Sequence, residues 1–398
     1  MSTQPILYTQ NLEKRRVAQK VQDLPPSGIR RFFDIVAETP GVISLGVGEP
    51  DFVTPWHICE AGIHALETGW TSYTANQGMT PLRKAISKFM RQQFGVEYNP
   101  QSEILVTVGG SEAIDLACRA VLEPGDEAIV LQPSFVSYAP MVTMAGGVPV
   151  PVYCYAANRF LPTQSAIESA VTPRTKMLMI NFPNNPTGVA LDRSTFDKIV
   201  NVVLEYDLLL VSDEVYVPLS YDEEPLSFCT ASEIRDRLIL LHGFSKAWAM
   251  TGWRLGFALA PADIIAAMNK IHQYSIMCTS TIAQLAAIEA LEHGEEAALA
   301  MKREYDRRRR YVTHALNEMG LPTVEPKGAF YVFPDIRGTG LTSEEFALGL
   351  LKEEKVAVVP GTAFGECGEG HIRCSYASSM EALRKAMERI KSFVGRHS

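Results

Sequence analysis

Through the first two thirds of the chain, short continuous apolar runs alternate with longer stretches in which apolar residues recur every three or four positions. The runs Ile104-Leu-Val-Thr-Val108, Glu127-Ala-Ile-Val-Leu131, Met177-Leu-Met-Ile180, Leu208-Leu-Leu-Val-Ser212 and Leu238-Ile-Leu-Leu241, with a further one at 148–153, predict strands buried on both faces. Helical spacing predicts helices over 29–38, 56–68, 80–94, 114–122, 195–206, 262–273, 281–292 and 296–319, and another ending at Ala145. Strands that alternate with amphipathic helices predict a mostly parallel sheet covered by helices on both faces. In such sheets ligands bind beyond the carboxyl ends of the strands. The Gly110-Ser111 turn, Asn185, Asp213 and Lys246 each follow a predicted strand. The pattern therefore predicts that all four meet in one crevice.

After the long 296–319 helix the pattern changes. Short apolar runs at Tyr331-Val-Phe333, 356–360 and Ile372-Arg-Cys-Ser375 are separated by helical stretches, which is α+β patterning. The expected architecture is α/β: a large domain over 46–290 and a smaller α+β domain over 291–398. Residues 1–45 are expected to form an N-terminal arm and part of the small domain. Pro25-Pro-Ser-Gly28 favours an extended path there.

Composition narrows the partners. A chain of 398 residues has room for two such domains. The formal net charge of −8, with no local basic patch, points away from nucleic acid. The one arginine-rich stretch, 302–310, is interrupted by Glu304 and Asp306 and reads as a solvated helix face. Seven scattered cysteines with no C-x-x-C pair suggest neither a disulfide framework nor a zinc or other metal site, and point to a reducing compartment. No apolar run reaches membrane-spanning length, and the N-terminus lacks a signal-peptide layout. A soluble cytoplasmic protein with small-molecule substrates is expected.

The chemistry gathers around His242-Gly-Phe-Ser-Lys246-Ala-Trp-Ala-Met-Thr-Gly-Trp-Arg254-Leu-Gly-Phe257. Lys246 has little polar company except Ser245, and desolvation disfavours a charged amine. A neutral lysine is a nucleophile suited to Schiff-base chemistry. Arg254 lies between Gly252 and Gly256, which allow backbone or ligand to come close. Taken alone, the stretch favours a core-edge lysine and a structural arginine, single lysines being common. The strand–Gly109-Gly110-Ser111–helix turn offers backbone N–H groups and a helix dipole to an anion, without dinucleotide or Walker spacing. A plain strand-to-helix turn is the alternative there.

Six stretches occur together: Gly46-x-Gly48-Glu-Pro-Asp51, Tyr73-x4-Gly78, Asn185-Pro-Thr-Gly188, Asp213-x2-Tyr216, Ser245-Lys246-x7-Arg254 and Arg373. In order and spacing the chain resembles the fold-type-I, class I/II aminotransferases that depend on pyridoxal 5'-phosphate, over nearly its whole length. The resemblance implies that Lys246 carries the cofactor and serves as catalytic base. It implies that Gly110, Ser111, Ser245 and Arg254 hold the phosphate, with Tyr73 reaching it from the other subunit of a homodimer. Asp213 would face the pyridine nitrogen, Asn185 and Tyr216 the phenolic oxygen, and Phe135 the ring. Arg373, helped by Gly48 and Asn185, would take the substrate carboxylate. The implied reaction moves an amino group from an L-amino acid to a 2-oxo acid such as 2-oxoglutarate.

Two positions depart from the family pattern: Gly243 where many relatives have a second hydroxyl, and Phe135 where several have tryptophan. The look of the Gly46–Pro50 loop, Ile29-Arg-Arg-Phe-Phe33 and Pro133-Ser-Phe-Val-Ser-Tyr138 is that of a subgroup of aromatic, broad-range, aspartate and N-acetyl-diaminopimelate aminotransferases. Aromatic or broad specificity is the expectation. A pyridoxal-phosphate lyase on the same fold would share the cofactor residues.

Overall fold

The computed structural model describes residues 16–22, 24, 40–222 and 224–397. The helix expected over 29–38 lies outside them, as does most of the expected arm. Within the arm, Gln19–Gln22 forms one exposed helical turn.

The centre of the molecule is a seven-stranded sheet in the order β2-β8-β7-β6-β5-β3-β4. Its strands are β2 (Ile104–Thr107), β3 (Glu127–Gln132), β4 (Val148–Tyr153), β5 (Thr175–Asn181), β6 (Leu209–Asp213), β7 (Leu238–Gly243) and β8 (Gly256–Leu259). All neighbouring pairs are parallel except those of β8, which runs antiparallel to both β7 and β2. The 244–255 connection holds no α-helix, only short turns at 245–247 and Thr251–Trp253, and a parallel return needs a crossover, usually helical.

Successive residues of the central strands supply opposite faces, so both are apolar. One face, with Ile129, Leu178, Ile180, Leu210, Leu240 and Phe257, packs in a cluster with Ile58, Ile86, Phe196 and Ala286 from four helices. The other, with Leu105, Val130, Met179, Val211, Ile239 and Ala258, packs with Ile114, Leu116, Val142 and Met268. At roughly 1.5–3 kcal/mol for each large apolar side chain fully buried, these layers fix the sheet from which the site projects.

A separate apolar cluster gathers Leu45, Leu316, Phe330, Phe346, Val356, Ile372, Leu383 and Ile390. It is enclosed by the helices Glu295–Glu318, Ser343–Glu354 and Met380–Val394. The Ser343–Glu354 helix starts with a capping box between Thr342 and Glu345, which satisfies two terminal N–H groups. The apolar run at 356–360 is not one strand. It breaks at Val358 into β10 (Val356–Ala357), parallel to β1 (Ile43–Ser44), and β11 (Val359–Pro360). β11 joins β12 (Ile372–Ser375) and β9 (Tyr331–Val332) in a small antiparallel sheet. The β1–β10 pair ties the chain before residue 46 to this cluster.

The arginine-rich stretch departs from the expected solvated face. Arg303, Arg307 and Arg310 are exposed, but Arg308 and Arg309 are buried. Arg309 pairs with Asp222, Asp306 and Glu325, donates to the carbonyl of Pro326, and lies over the Tyr221 ring. Arg308 pairs with Asp51 and Glu304. A planar guanidinium with several carboxylate partners and an aromatic floor is tolerated inside, which charge counting along one helix does not reveal.

Candidate active site

At the carboxyl end of the sheet lies a cavity of about 280 Å³. Every residue expected at the site lines it except Tyr73: Gly48, Gly110, Ser111, Phe135, Asn185, Asp213, Tyr216, Ser245, Lys246, Arg254 and Arg373. Tyr73 stands on the surface, 81% exposed, in the loop after the Trp56–Glu67 helix.

Lys246 follows β7, and its Nζ donates to the Gly48 carbonyl at 2.7 Å. Burial, reinforced by the Arg373 and Arg254 cations, pulls its pKa down to about 8, against the opposing pull of Glu49 and Asp213. A substantial fraction of the amine is therefore neutral near that pH.

One end of the cavity is built for an anion. The Gly109–Val121 helix opens directly on β2, so its first N–H groups have no partner within the helix. Glycine is required twice here. Gly109 has φ +72°, and a Cβ on it would lie 2.8 Å from Arg254 Nη2. A Cβ on Gly256 would lie 2.8 Å from the Gly109 carbonyl carbon. Arg254 itself has φ +53°, and its Nη1 donates to the Thr251 carbonyl at 3.1 Å. Ser111 is exposed and Ser245 half-buried on the cavity wall.

The middle of the cavity is controlled by a buried carboxylate. Asp213 ends β6, and its Oδ2 accepts from Tyr138 Oη at 2.7 Å while Oδ1 accepts from the Val215 N–H at 3.2 Å. Burial raises its pKa; the two hydrogen bonds and Lys246 oppose that rise and favour the charged form. Tyr138 was not among the expected site residues, because a tyrosine opening an apolar helix reads as core. Phe135 packs edge-on against Tyr138, with centroids 5.6 Å apart, and forms one wall.

The opposite end presents a buried guanidinium with the chemistry to take a carboxylate. Arg373 on β12 donates from Nη1 to Asn185 Oδ1 at 2.8 Å and from Nη2 to the Gly46 carbonyl. Its Nε is buried and has no acceptor among the described residues. An unpaired buried donor is costly, about 1–3 kcal/mol or more when charged, and a ligand carboxylate removes that cost. Asn185 is set in place by its own N–H, which donates to Asn181 Oδ1 at 2.9 Å. Asn181 in turn donates to the Asp213 carbonyl at 2.8 Å. Tyr216 meets Tyr331, another residue outside the expected set, hydroxyl to hydroxyl at 2.7 Å.

The donor set fits pyridoxal phosphate and an amino acid. There is an amine for a carbonyl carbon and an N–H cradle with a guanidinium for a phosphate. A buried carboxylate can hold a protonated ring nitrogen, and an unpaired guanidinium N–H is left for a carboxylate. No cluster of metal-ligating side chains occurs among the described residues, and no helix there is long and apolar enough to cross a membrane.

Comparison with known proteins agrees. The family model for aminotransferase class I and II matches residues 40–390. An aspartate aminotransferase of Pyrococcus abyssi is 48% identical over 369 residues, covering 92% of this chain and 95% of that protein. Aromatic-amino-acid aminotransferase 2 of Thermococcus litoralis is 44% identical over 378 residues, covering 94% and 97%. The crystal structure of an aromatic aminotransferase from Pyrococcus horikoshii superposes with a TM-score of 0.88 at 46% identity, covering 92% of this chain and 99% of that one. With the sheet, the cavity and these relatives in agreement, the chain belongs to the class I and II aminotransferases, enzymes that use pyridoxal phosphate to move amino groups between amino acids and 2-oxo acids.

Proposed function

We propose that this aminotransferase accepts aromatic amino acids, or a broad range of uncharged ones, as donors and works as a homodimer. The observation that carries the donor reading is the charge count of the cavity. Its cations are Lys246, Arg254 and Arg373. If these serve the cofactor carbonyl, its phosphate and the α-carboxylate, this chain's described lining supplies no dedicated cation for an acidic side chain, and the distal carboxylate of 2-oxoglutarate as acceptor would be met by uncharged donors or by the partner subunit. The resemblance to the aromatic enzymes of Thermococcus litoralis and Pyrococcus horikoshii supports the same choice. Aspartate as donor is the second reading, favoured by the Pyrococcus abyssi relative. A panel of donors with 2-oxoglutarate as acceptor, followed by absorbance at the cofactor, separates them. Aspartate outperforming phenylalanine and tyrosine in kcat/KM overturns the first reading.

Bound pyridoxal phosphate supplies a carbonyl for covalent attachment and an electron sink for the bond broken at the donor's Cα. The chain's own residues divide the remaining work. Lys246 Nζ holds the cofactor and then takes the Cα proton as general base, which is worth roughly 10²–10⁴ in rate. Asp213, whose charged form Tyr138 and the Val215 N–H favour against the pull of burial, would hold a proton on the ring nitrogen. Asn185 and Tyr216 would donate to the phenolic oxygen, and Phe135 would cover one face of the ring. The N–H groups of Gly110 and Ser111, with Ser245 and Arg254, would hold the phosphate. Arg373, with Asn185 and the Gly48 backbone, orients the donor so that its Cα–H faces Lys246.

The dimer part of the reading rests on one helix face. Trp56, Ile63, Leu66 and Trp70 are exposed at helical spacing at and just after Trp56–Glu67, next to exposed Tyr73. A second copy would cover this face and carry Tyr73 to the partner's phosphate end. Leu66→Glu should yield monomers in sedimentation with weakened cofactor binding. Monomers with parental activity would refute this part. Seven scattered cysteines without a C-x-x-C pair support a reducing compartment such as the cytoplasm. The division into 46–290 and 291–398, with 1–45 as an arm and part of the smaller domain, belongs to the same reading, supported by the cluster around Leu45, Phe330 and Phe346, most of whose residues lie beyond 300, although Tyr216 and Tyr221 join it and Phe333 and Phe364 join the large cluster across the boundary.

A further inference from the structure

Tyr331 has none of the roles assigned above, yet its hydroxyl lies where three of them meet. It opens β9, opposite Ser375 of β12, and is 1% exposed. Its Oη is 2.7 Å from Tyr216 Oη, and the two rings meet edge to face. The Arg373 guanidinium lies over its ring, 4.6 Å from the centroid. Gly48, whose carbonyl accepts from Lys246, must lack a side chain for this hydroxyl to exist: a Cβ there would stand 2.5 Å from Tyr331 Oη.

Packing alone does not account for the hydroxyl. A phenylalanine would fill the same aromatic cluster with Phe330 and Tyr216 and would keep the ring beneath Arg373. What the oxygen adds is a hydrogen bond to Tyr216. Two protonated phenols share that contact, so one donates and the other keeps its own O–H free. Burial raises the pKa of both phenols, and that of Tyr216 further; the Arg373 cation opposes the rise at both but is the strongest opposing influence at Tyr331, which leaves Tyr331 the more acidic phenol and the better donor. Tyr216 then accepts, and its O–H is left to point into the cavity. A hydroxyl that accepts one hydrogen bond donates a stronger one, because successive bonds polarise each other.

Resting on the reading that Tyr216 serves the cofactor's phenolic oxygen, we propose that Tyr331 is a positioning residue whose hydroxyl aims and polarises the Tyr216 O–H toward that oxygen. The effect is to strengthen donation to the phenolate and so to lower the proton affinity of the bound cofactor.

The test is Tyr331→Phe in the holoenzyme, beside Tyr216→Phe and the double variant, with absorbance of the bound cofactor titrated against pH. The proposal expects the titration midpoint of Tyr331→Phe to rise by about half a pH unit to one unit, the scale of one neutral hydrogen bond. It expects KM for the donor to stay within about threefold, since the ring under Arg373 remains. The double variant should titrate like Tyr216→Phe alone, because Tyr331 acts through Tyr216. A Tyr331→Phe midpoint equal to the parent's, or shifts that add in the double variant, overturn the proposal. Gly48→Ala, which intrudes on the same hydroxyl from the other side, should shift the midpoint in the same direction even where Tyr331→Phe folds poorly; an unshifted midpoint counts against the proposal. If Tyr216→Phe itself leaves the midpoint unchanged, the underlying assignment of Tyr216 fails, an outcome distinct from failure of Tyr331→Phe alone.

Discussion

Glu214 follows Asp213 at the end of β6 and offers a test of how the site's foundation is built. Its Oε1 accepts from Ser212 Oγ and from the Phe228 N–H, each at 3.0 Å, pinning the Phe228 turn to the strand end. The side chain is almost fully buried, and burial lifts its pKa from the ordinary 4.5 to about 7, against the hydrogen bonds it accepts. The folded state therefore binds this proton more tightly than the unfolded state. The associated stability is fully present below about pH 4.5 and is lost as pH rises through about 7. At about 1.36 kcal/mol per unit, the full loss is on the order of 3 kcal/mol, and between pH 5 and 8.5 roughly 2–3 kcal/mol of it should be visible. Glu214→Gln keeps the shape and removes the titration. Urea unfolding of the cofactor-free parent and variant at both pH values isolates the difference, since effects common to the two chains cancel. Relative to the parent, the variant should gain 2–3 kcal/mol (an order-of-magnitude figure) on going from pH 5 to 8.5. A difference that stays flat with pH, or falls, would refute the account of this strand end.

Two further substitutions probe the cavity. Asp213→Asn keeps the Tyr138 contact but removes the charge opposite the ring nitrogen; losing one partner of a buried pair, about 3–5 kcal/mol, predicts at least a hundredfold drop in the single-turnover rate with a donor. A drop under threefold would contradict the role. Arg373→Lys retains a cation but not the fork that holds Asn185, the Gly46 carbonyl and an incoming carboxylate together. KM for all donors should rise by about a hundredfold while kcat changes much less, a loss of uniform binding. The reverse pattern, low kcat at unchanged KM, would move Arg373 out of substrate binding.

Much of this was legible in the amino-acid sequence, for reasons that differ from residue to residue. The helices at Trp56–Glu67 and Thr80–Phe94 and the buried strands follow from periodicity, and the groups at strand ends converge because a parallel sheet presents its carboxyl ends to one side. β8 was not anticipated: Gly256-Phe-Ala-Leu259 is short and begins within the glycine-flanked arginine signature. The Gln164–Ala170 helix is seven residues long with one buried side chain, Ile167, too little for an amphipathic pattern. The helix expected from 114 starts at Gly109, a residue that discourages helix in isolation but is required here by its φ of +72° and the close approach of Arg254. Tyr138 and Tyr331 escaped notice because a polar tip on an apolar body looks like core until its hydroxyl's partner is known. Arg308 and Arg309 show the same limit for charge: their partners Asp51 and Asp222 are distant along the chain.

The claim on which the rest depends is that Lys246 is the covalent anchor of the cofactor. Borohydride reduction of the enzyme saturated with pyridoxal phosphate, followed by proteolysis and mass analysis, tests it directly. The account predicts that the cofactor-bearing peptide contains Lys246, that Lys246→Ala yields no such peptide, and that this variant still binds cofactor without turning over. A modified peptide from another lysine, or near-parental turnover in Lys246→Ala, would contradict it.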